Sequence, residues 1–396
     1  MENGEIKKCR VCGSGELEDL FGIGDIHLST FVEKEGDSIG KSPLDLAWCN
    51  GCTLVQLRYT APQELMYSGH YWYRSGLNDV IIKDLEGITR QVRGMVELRE
   101  GDVVLDIGAN DGTLLGFYPR EQVRVGVEPA TNLTDELRGK ADVVIPEFWD
   151  YERYKEIVGK KAKIITAIGM FYDMDDPGKF IRDCVSALDE RGVFVAQLMT
   201  SKPMLENNDV GNICHEHLEY YSYGSLRRLF EMNGLEIFRV EENGINGGSY
   251  RLHARHLKKG SMAYPERVTK QDFMDFGRRI AENRDKCRAL LGTLKREGKR
   301  VYGYGASTKG NTILQYYGLS RNELEGIAEI HPEKIGKMTV GTHIPIVGEK
   351  EARQKADYFL VLPYAFRDSF IKREEEWMKK GGHFIFTTPK VEVVGV

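Results

Sequence analysis

Across 396 residues no apolar run is long enough to span a bilayer, and Met1 to Arg10 are polar with no apolar signal core. The first absence removes a membrane-spanning reading and the second a secretory one, so a cytoplasmic protein with no membrane partner is expected. Positive charge is short as well: 55 Lys and Arg against 60 Asp and Glu leave a net charge of -5, with no polybasic run. General binding to nucleic acid needs clustered basic charge, so no nucleic-acid partner is expected. Cysteine is sparse and odd in number, seven in all, and four of the seven fall into two pairs of identical spacing. That pattern leaves no disulfide framework. The remaining composition, 41% hydrophobic and 29% charged, is that of a globular chain too long for one ordinary core, so two or three domains are expected.

The chain is organised around Val103 to Thr113, an apolar strand that ends at Asp106-Ile107 and drops through Gly108-Ala109-Asn110-Asp111-Gly112 into a helix. A second apolar strand, Val123 to Val127, ends at Glu128, 22 residues after Asp106. A carboxylate at that strand tip is placed to accept both ribose hydroxyls of an adenosine lying across the turn. A pyrophosphate would need bare backbone where Asn110 and Asp111 stand, which argues against NAD. The acids suit S-adenosylmethionine, whose ammonium and sulfonium are cations. Asp106, Gly108, Asn110, Asp111 and Glu128 are therefore the expected cofactor residues. An ordinary strand-to-helix turn is the bland alternative, and the acid spacing weighs against it.

Cys9-x-x-Cys12 and Cys49-x-x-Cys52 each sit in a knuckle-like turn, and two such thiolate pairs can close a tetrahedral, structural Zn²⁺ site. The next segment, Ala61 to Gly101, reads as helical and opens with Tyr67, Tyr71, Trp72 and Tyr73. Aromatic residues here more often pack than react, but Tyr73 lies just ahead of the cofactor strand. After Glu128, strands are expected near 142–148, 163–168, 192–198, 235–241 and 248–256, the last two as a hairpin, with helices at Pro177 to Leu188 and Tyr223 to Met232. Alternating strand and helix ending in a hairpin is the layout of a seven-stranded methyltransferase sheet.

An insertion from Thr200 to Ser222 leaves the carboxyl end of the fifth strand and carries Cys214, His215-Glu216-His217, Tyr220 and Tyr221. Ligands of open α/β sheets bind at such ends, so the insertion should hang over the methyl donor. A general-base histidine outweighs both a metal ligand and a packed structural histidine here. Beyond a connecting helix in Glu266 to Lys299, a second strand, Gly-rich turn and helix begins at Arg300. Gly305, Ser307, Thr308 and Lys309 at that turn could hold a phosphate or diphosphate, with a tight packing turn as the equal alternative. Strands at 326–330, 358–362 and 383–386 should complete a small parallel sheet.

These motifs, with Tyr71-Trp72-Tyr73-Arg74-Ser75, Gly247-Gly248-Ser249, Lys309-Gly310-Asn311-Thr312 and Gly341-Thr342-His343-Ile344-Pro345-Ile346, occur in an order that resembles, essentially end to end, the zinc-containing, S-adenosylmethionine-dependent sugar C-methyltransferases. Those enzymes build branched deoxysugars on nucleotide carriers. The resemblance implies an α/β chain in three parts: a zinc-binding module (1–68), a class I methyltransferase domain with a Rossmann-like seven-stranded sheet and helical lead-in (69–260), and a smaller Rossmann-like C-terminal domain (261–396) that holds a nucleotide-diphosphate sugar. It implies His217 as the base that generates an enolate, Glu216 as its neighbour and Tyr73 near the sulfonium and sugar. It also implies substrate contacts from His215, Tyr220, Gly305, Ser307, Thr308 and Lys309. Tyr73, Tyr172 or Tyr220 could hydrogen-bond the enolate oxygen. Sugar O-methylation on the same scaffold and a zinc-ribbon RNA methyltransferase are the competing readings. Two departures from the family, Cys214 in place of Tyr and Met170 to Asp175 in place of a histidine, border the expected sugar pocket.

Overall fold

The computed structural model describes residues 4–67 and 71–395, so the junction expected at 68/69 lies outside the described residues. The N-terminal module is an antiparallel sheet of β1 (Leu17–His27), β2 (Lys41–Cys49) and β3 (Val55–Leu57). A long helix, α1 (Asp79–Arg93), starts at Asn78, whose side chain accepts the N–H of Val80, and buries Ile81, Leu85, Ile88 and Val92 at helical spacing. The helical reading of the lead-in fails ahead of it: residues 71–74 form neither helix nor strand, and Arg74 is extended. Their polar backbone is held by the side chains of Asn110 in the cofactor turn and Asn132 after the next strand.

The central sheet contains β4 (Val103–Ile107), β5 (Val123–Val127), β6 (Val143–Ile145), β7 (Ala162–Ile168) and β8 (Leu188–Met199), closed by β10 (Leu235–Asn243) and β11 (Ser249–His256). The strand order is β10-β11-β8-β7-β4-β5-β6, with β11 antiparallel to both its neighbours, as the class I methyltransferase layout requires. Helices α2 (Pro177–Ala187) and α3 (Tyr223–Met232) cover it. Winding reverses between β4 and β7, which places a ligand crevice at their carboxyl ends.

The insertion between β8 and α3 contributes β9 (Glu219–Tyr220), which pairs with β3, so the N-terminal sheet runs β9-β3-β2-β1. Helix α4 (Lys270–Arg296) leads to a six-stranded C-terminal sheet of order β14-β13-β12-β15-β16-β17. Its members are β12 (Val301–Tyr304), β13 (Ile327–Glu329), β14 (Ile346–Gly348), β15 (Tyr358–Val361), β16 (His383–Phe386) and β17 (Glu392–Val394), and α5 (Thr308–Tyr317) follows β12. Two of these strands, β14 and β17, are absent from the sequence-based expectation, and β17 is antiparallel, so the sheet is mixed. Three-residue strands are too short to show an alternation.

The cores do not respect the three sheets. The four paired cysteines, Val11 and Leu54 pack with the central sheet, while the N-terminal strands, the insertion and the C-terminal sheet share another cluster. The crevice is therefore walled by all three parts.

Candidate active site

The turn after β4 is shaped for close approach. Gly108 has φ +71, and a Cβ there would meet Met170 Cγ at 2.8 Å. Both oxygens of Glu128 are fixed by backbone, accepting the Asn110 N–H at 2.8 Å and the Ala130 N–H at 2.9 Å. Asp106 accepts the Thr166 hydroxyl at 2.6 Å, and burial pushes its carboxyl up to about 7, with Glu128 adding to the shift. Asn110, itself at φ +52, accepts the Ser75 N–H and donates to the Tyr73 carbonyl, while Asn132 makes the same reciprocal pair with Tyr71. These two clamps hold the strap 71–75 over the turn. Asp111 is the remaining member of the expected cofactor set. Its carboxylate accepts from Gly76 N, Thr113 N and the Thr113 hydroxyl, it is buried, and it borders neither cavity described next. The tight turn leaves N–H groups that the nearest acid satisfies.

Two cavities meet at Gly108, Asn110, Tyr71, Tyr73 and Ser75. One lies between Glu128, Pro129, Phe148, Trp149 and Met170; the other holds Asp84, Asp106, His217, Ser307, Thr308 and Lys309. The residues fit S-adenosylmethionine: an acid with lone pairs left for a ribose, aromatic rings beside it, a Gly108 crossing with no room for a side chain, and acids where the donor is cationic.

His217 is 8% exposed and borders the second cavity. Its Nδ1 lies 2.9 Å from the Asn212 carbonyl oxygen, which can only accept, so Nδ1 carries the proton and Nε2 has a free lone pair. The Tyr172 ring packs edge-on against it, with centroids 4.4 Å apart. Burial first, and then the Lys309 ammonium, depress the imidazole to about 3, so it is neutral at physiological pH. Tyr73 borders both cavities and is 42% exposed. Ser307, Thr308 and Lys309 border the His217 cavity, with the Ser307 hydroxyl also capping α5 through Gly310 N–H.

The other expected substrate and catalytic residues are not brought to either cavity. His217 N–H bonds to the Cys214 carbonyl, so residues 214–217 form a turn, which sends the two histidines different ways. His215 Nε2 lies 2.9 Å from the Ser42 carbonyl oxygen of β2. Glu216 receives the Tyr67 hydroxyl on its carbonyl, and Tyr220 is buried among core residues. Gly305 sits behind the phosphate-type turn at φ +82, where a Cβ would meet Pro363 at 2.8 Å. Cys214 is buried away from both cavities; of the other departure, Met170 and Asp173 border the Glu128 cavity and Tyr172 the His217 cavity. Sequence reasoning passed over Asp84, Gln197, Asp209 and Tyr364, which border the His217 cavity from four separate segments and carry no motif. Asp84 is held there by Arg251 at 2.6 Å and by Gln197 at 2.6 Å.

The four cysteines converge. Cys9 Sγ is 3.4 Å from Cys52 Sγ, Cys12 Sγ is 3.5 Å from Cys49 Sγ, and all four sulfurs lie within 4.8 Å of one another. A tetrahedron with Zn–S near ~2.3 Å has edges of about 3.8 Å, so the set fits one Zn²⁺ with no open position. Each knuckle is closed by an N–H returning to the first cysteine carbonyl, from Gly13 at φ +72 and Thr53 at φ +62.

Three family descriptions match in succession: a zinc binding domain over residues 9–67, a methyltransferase domain over 85–240 and a C-methyltransferase C-terminal domain over 244–389. The chain is 29% identical to the C-methyltransferase NovU of Streptomyces niveus, across 98% of this chain and 97% of that one. Among solved structures, an S-adenosylmethionine-dependent methyltransferase from Clostridium acetobutylicum ATCC 824 is 13% identical over 46% of this chain and 94% of its own, with a TM-score of 0.36. The mitomycin 7-O-methyltransferase MmcR is 16% identical over 46% of this chain and 55% of its own, with a TM-score of 0.35. At those scores they add nothing to the strand order described above.

Proposed function

We propose that the chain, which matches a zinc binding domain, a methyltransferase domain and a C-methyltransferase C-terminal domain in succession, is an S-adenosylmethionine-dependent C-methyltransferase that methylates a ring carbon of a keto-sugar carried on a nucleoside diphosphate. The observation that carries the reading is His217: a neutral imidazole with Nε2 unbonded, in one cavity with the donor turn on one side and Ser307 and Thr308 on the other. When bound, S-adenosylmethionine supplies a methyl group made electrophilic by its sulfonium. Methylation of carbon needs a carbon nucleophile, and His217 Nε2 can make one by taking the proton beside a carbonyl. Glu128 holds the donor ribose, the strap 71–75 keeps water from the junction of the two cavities, and Thr308 and Lys309 backbone N–H groups at the start of α5 face the substrate's anionic end.

The test is incubation of a nucleoside-diphosphate 4-keto-6-deoxyhexose with the protein in D₂O and no methyl donor. Deuterium appearing at the carbon next to the carbonyl supports carbon methylation. No exchange, with methyl transfer to a hydroxyl once donor is added, replaces the reading by O-methylation.

Two measurements address the donor. Glu128→Ala removes the ribose acceptor, and calorimetry should show donor Kd raised about tenfold or more, the order expected of a charge-assisted hydrogen bond, with sugar-nucleotide binding little changed. Equal losses for both ligands would remove that assignment. Asp106, held near 7 in the free protein, should ionise beside a cationic donor, because a nearby cation favours the charged carboxylate. Its bound pKa then lies below its free one, so affinity rises with pH up to about 7 and levels off above. Donor binding at pH 6 should be weaker than at pH 8 by about tenfold, one pH unit's worth of protonation. The slope should vanish in Asp106→Asn, and equal affinity at the two pH values in the native protein would contradict it.

A further inference from the structure

The lysine at the C-terminal Gly-rich turn does not stay with its own sheet. Lys309 Nζ lies 2.8 Å from the Sδ of Met199, the last residue of β8, and 3.5 Å from Oδ2 of Asp209 in the insertion. Its stem passes over Gly211, where a Cβ would come within 3.3 Å of Lys309 Cβ. Asp209 is buried, and the Tyr364 hydroxyl reaches the same Oδ2 at 3.4 Å. The ammonium is thus carried across the crevice to the carboxyl end of the methyltransferase sheet, into the cavity that His217 borders. Among the described residues lining that cavity it is the one Lys or Arg.

A diphosphate carries at least two negative charges, and an ammonium already paired with a buried carboxylate offers it a neutral pair. The same pair suits a smaller charge that develops during a reaction, where a fixed donor needs no reorganisation. The enolate oxygen expected above is such a charge, and its phenolic donors are few. The Tyr172 hydroxyl is committed to the Gly169 carbonyl at 2.8 Å, and Tyr220 does not reach the cavity. Tyr71, Tyr73 and Tyr364 also border the cavity, the Tyr364 hydroxyl lying 3.4 Å from both Asp209 Oδ2 and the Gly247 carbonyl, and Lys309 is the cation among these donors.

Building on the keto-sugar reading, we propose that Lys309 is a catalytic residue of the methyltransferase site, donating an N–H to the substrate carbonyl oxygen while His217 takes the neighbouring proton, with Asp209 as its positioning residue. In that step the C–H bond breaks and an N–H bond forms at His217 Nε2. The C–H electron pair becomes the second bond between ring carbon and carbonyl carbon, and the carbonyl π pair moves onto the oxygen that Lys309 faces. The ammonium beside His217 also keeps the imidazole unprotonated, and so ready to accept. The active site is completed by two domains, and among the described residues the methyltransferase domain places no Lys or Arg in that cavity.

The experiment follows D₂O exchange on a nucleoside-diphosphate 4-keto-6-deoxyhexose without donor, with dTDP binding measured by calorimetry. Lys309→Gln should lower the exchange kcat by about 100-fold, the scale of losing one oxyanion donor, with KM and dTDP Kd within about threefold of native. Lys309→Arg should recover part of the rate. Without the ammonium the histidine pKa should rise, so Lys309→Gln should lose exchange rate at acidic pH where the native protein does not. Asp209→Asn should cost about tenfold in kcat, a positioning loss, and it tests the idea should Lys309→Gln not fold. A Lys309→Gln protein that raises KM and dTDP Kd tenfold or more at unchanged kcat would overturn the proposal and return the lysine to the diphosphate. So would Lys309→Gln, or Asp209→Asn in its place, exchanging at the native rate. If the native protein shows no exchange, the keto-sugar reading itself falls, and this proposal with it.

Discussion

His217→Asn should abolish both deuterium exchange and methyl transfer, by about 10²- to 10⁴-fold, the contribution of a positioned general base. The amide can replace Nδ1–H at the Asn212 carbonyl, which is 2.9 Å away in the native protein, but it has no basic lone pair at the Nε2 position. Donor and dTDP affinities should hold, because no contact proposed for either ligand runs through the imidazole. The variant should also fold: the imidazole it removes is neutral, so no buried charge loses its partner. The pH behaviour has a definite sign. Burial and Lys309 depress the folded pKa of His217 to about 3, whereas the unfolded side chain titrates near ~6.5. The native exchange rate should therefore show no histidine limb between pH 8 and pH 5. Below about 6.5 the unfolded chain takes up a proton that the folded chain refuses, so the stability contributed by this residue is complete above that pH and lost as pH falls towards about 3. Native protein should lose melting temperature relative to His217→Asn across that window. Exchange surviving in the variant, or a native rate that falls away through pH 6.5, would remove His217 as the base.

Removing zinc should be as damaging by another route. One Zn²⁺ per chain is expected on Cys9, Cys12, Cys49 and Cys52, whose sulfurs already lie within 4.8 Å of one another. The first knuckle holds Arg10, whose guanidinium donates to the Leu57 carbonyl at 3.0 Å and to the Thr60 hydroxyl, and whose Nε lies 3.6 Å from a carboxyl oxygen of Glu219. Glu219 is buried in β9, two residues after His217, and the Leu57 N–H bonds to the Leu218 carbonyl between them. Hydrogen bonds thus link the knuckle to β3 and β3 to Leu218, the neighbour of His217. Without the metal, four clustered thiols lose their centre and Arg10, beside the buried Glu219 carboxyl, its anchor. Chelation should lower the melting temperature by about 10 °C or more, given the size of structural zinc contributions, and stop exchange in the same titration. The Cys49→Ser, Cys52→Ser double variant should carry no stoichiometric zinc. Full zinc in that variant, or a metal-free protein with native melting and exchange, would refute the assignment.

What could be read from residue order was whatever depends on short spacing. A C-x-x-C pair, a strand that ends in an acid before a Gly turn, a second acid 22 residues later and an apolar helical period each report on neighbours within a few turns of chain. Strands β4, β5, β7 and β10, helices α2 to α5, the zinc ligands and the Asp106 and Glu128 pair are of that kind, as is His217 in an insertion at a strand's carboxyl end. Tertiary structure alone decided the direction of each side chain in the irregular segments. The Asp111 carboxylate is taken up by the N–H groups of Gly76 and Thr113, and a turn at 214–217 sent His215 to Ser42 while His217 went to the cavity. Tyr71 to Arg74 are non-helical because Asn110 and Asn132 take up the backbone around them. The pairing of β3 with β9 and the meeting of Lys309 with Asp209, 100 residues apart, leave no local pattern. Such contacts are chosen by how three sheets share their cores, and a spacing rule that sees one segment at a time carries no information about which distant segment will lie against it.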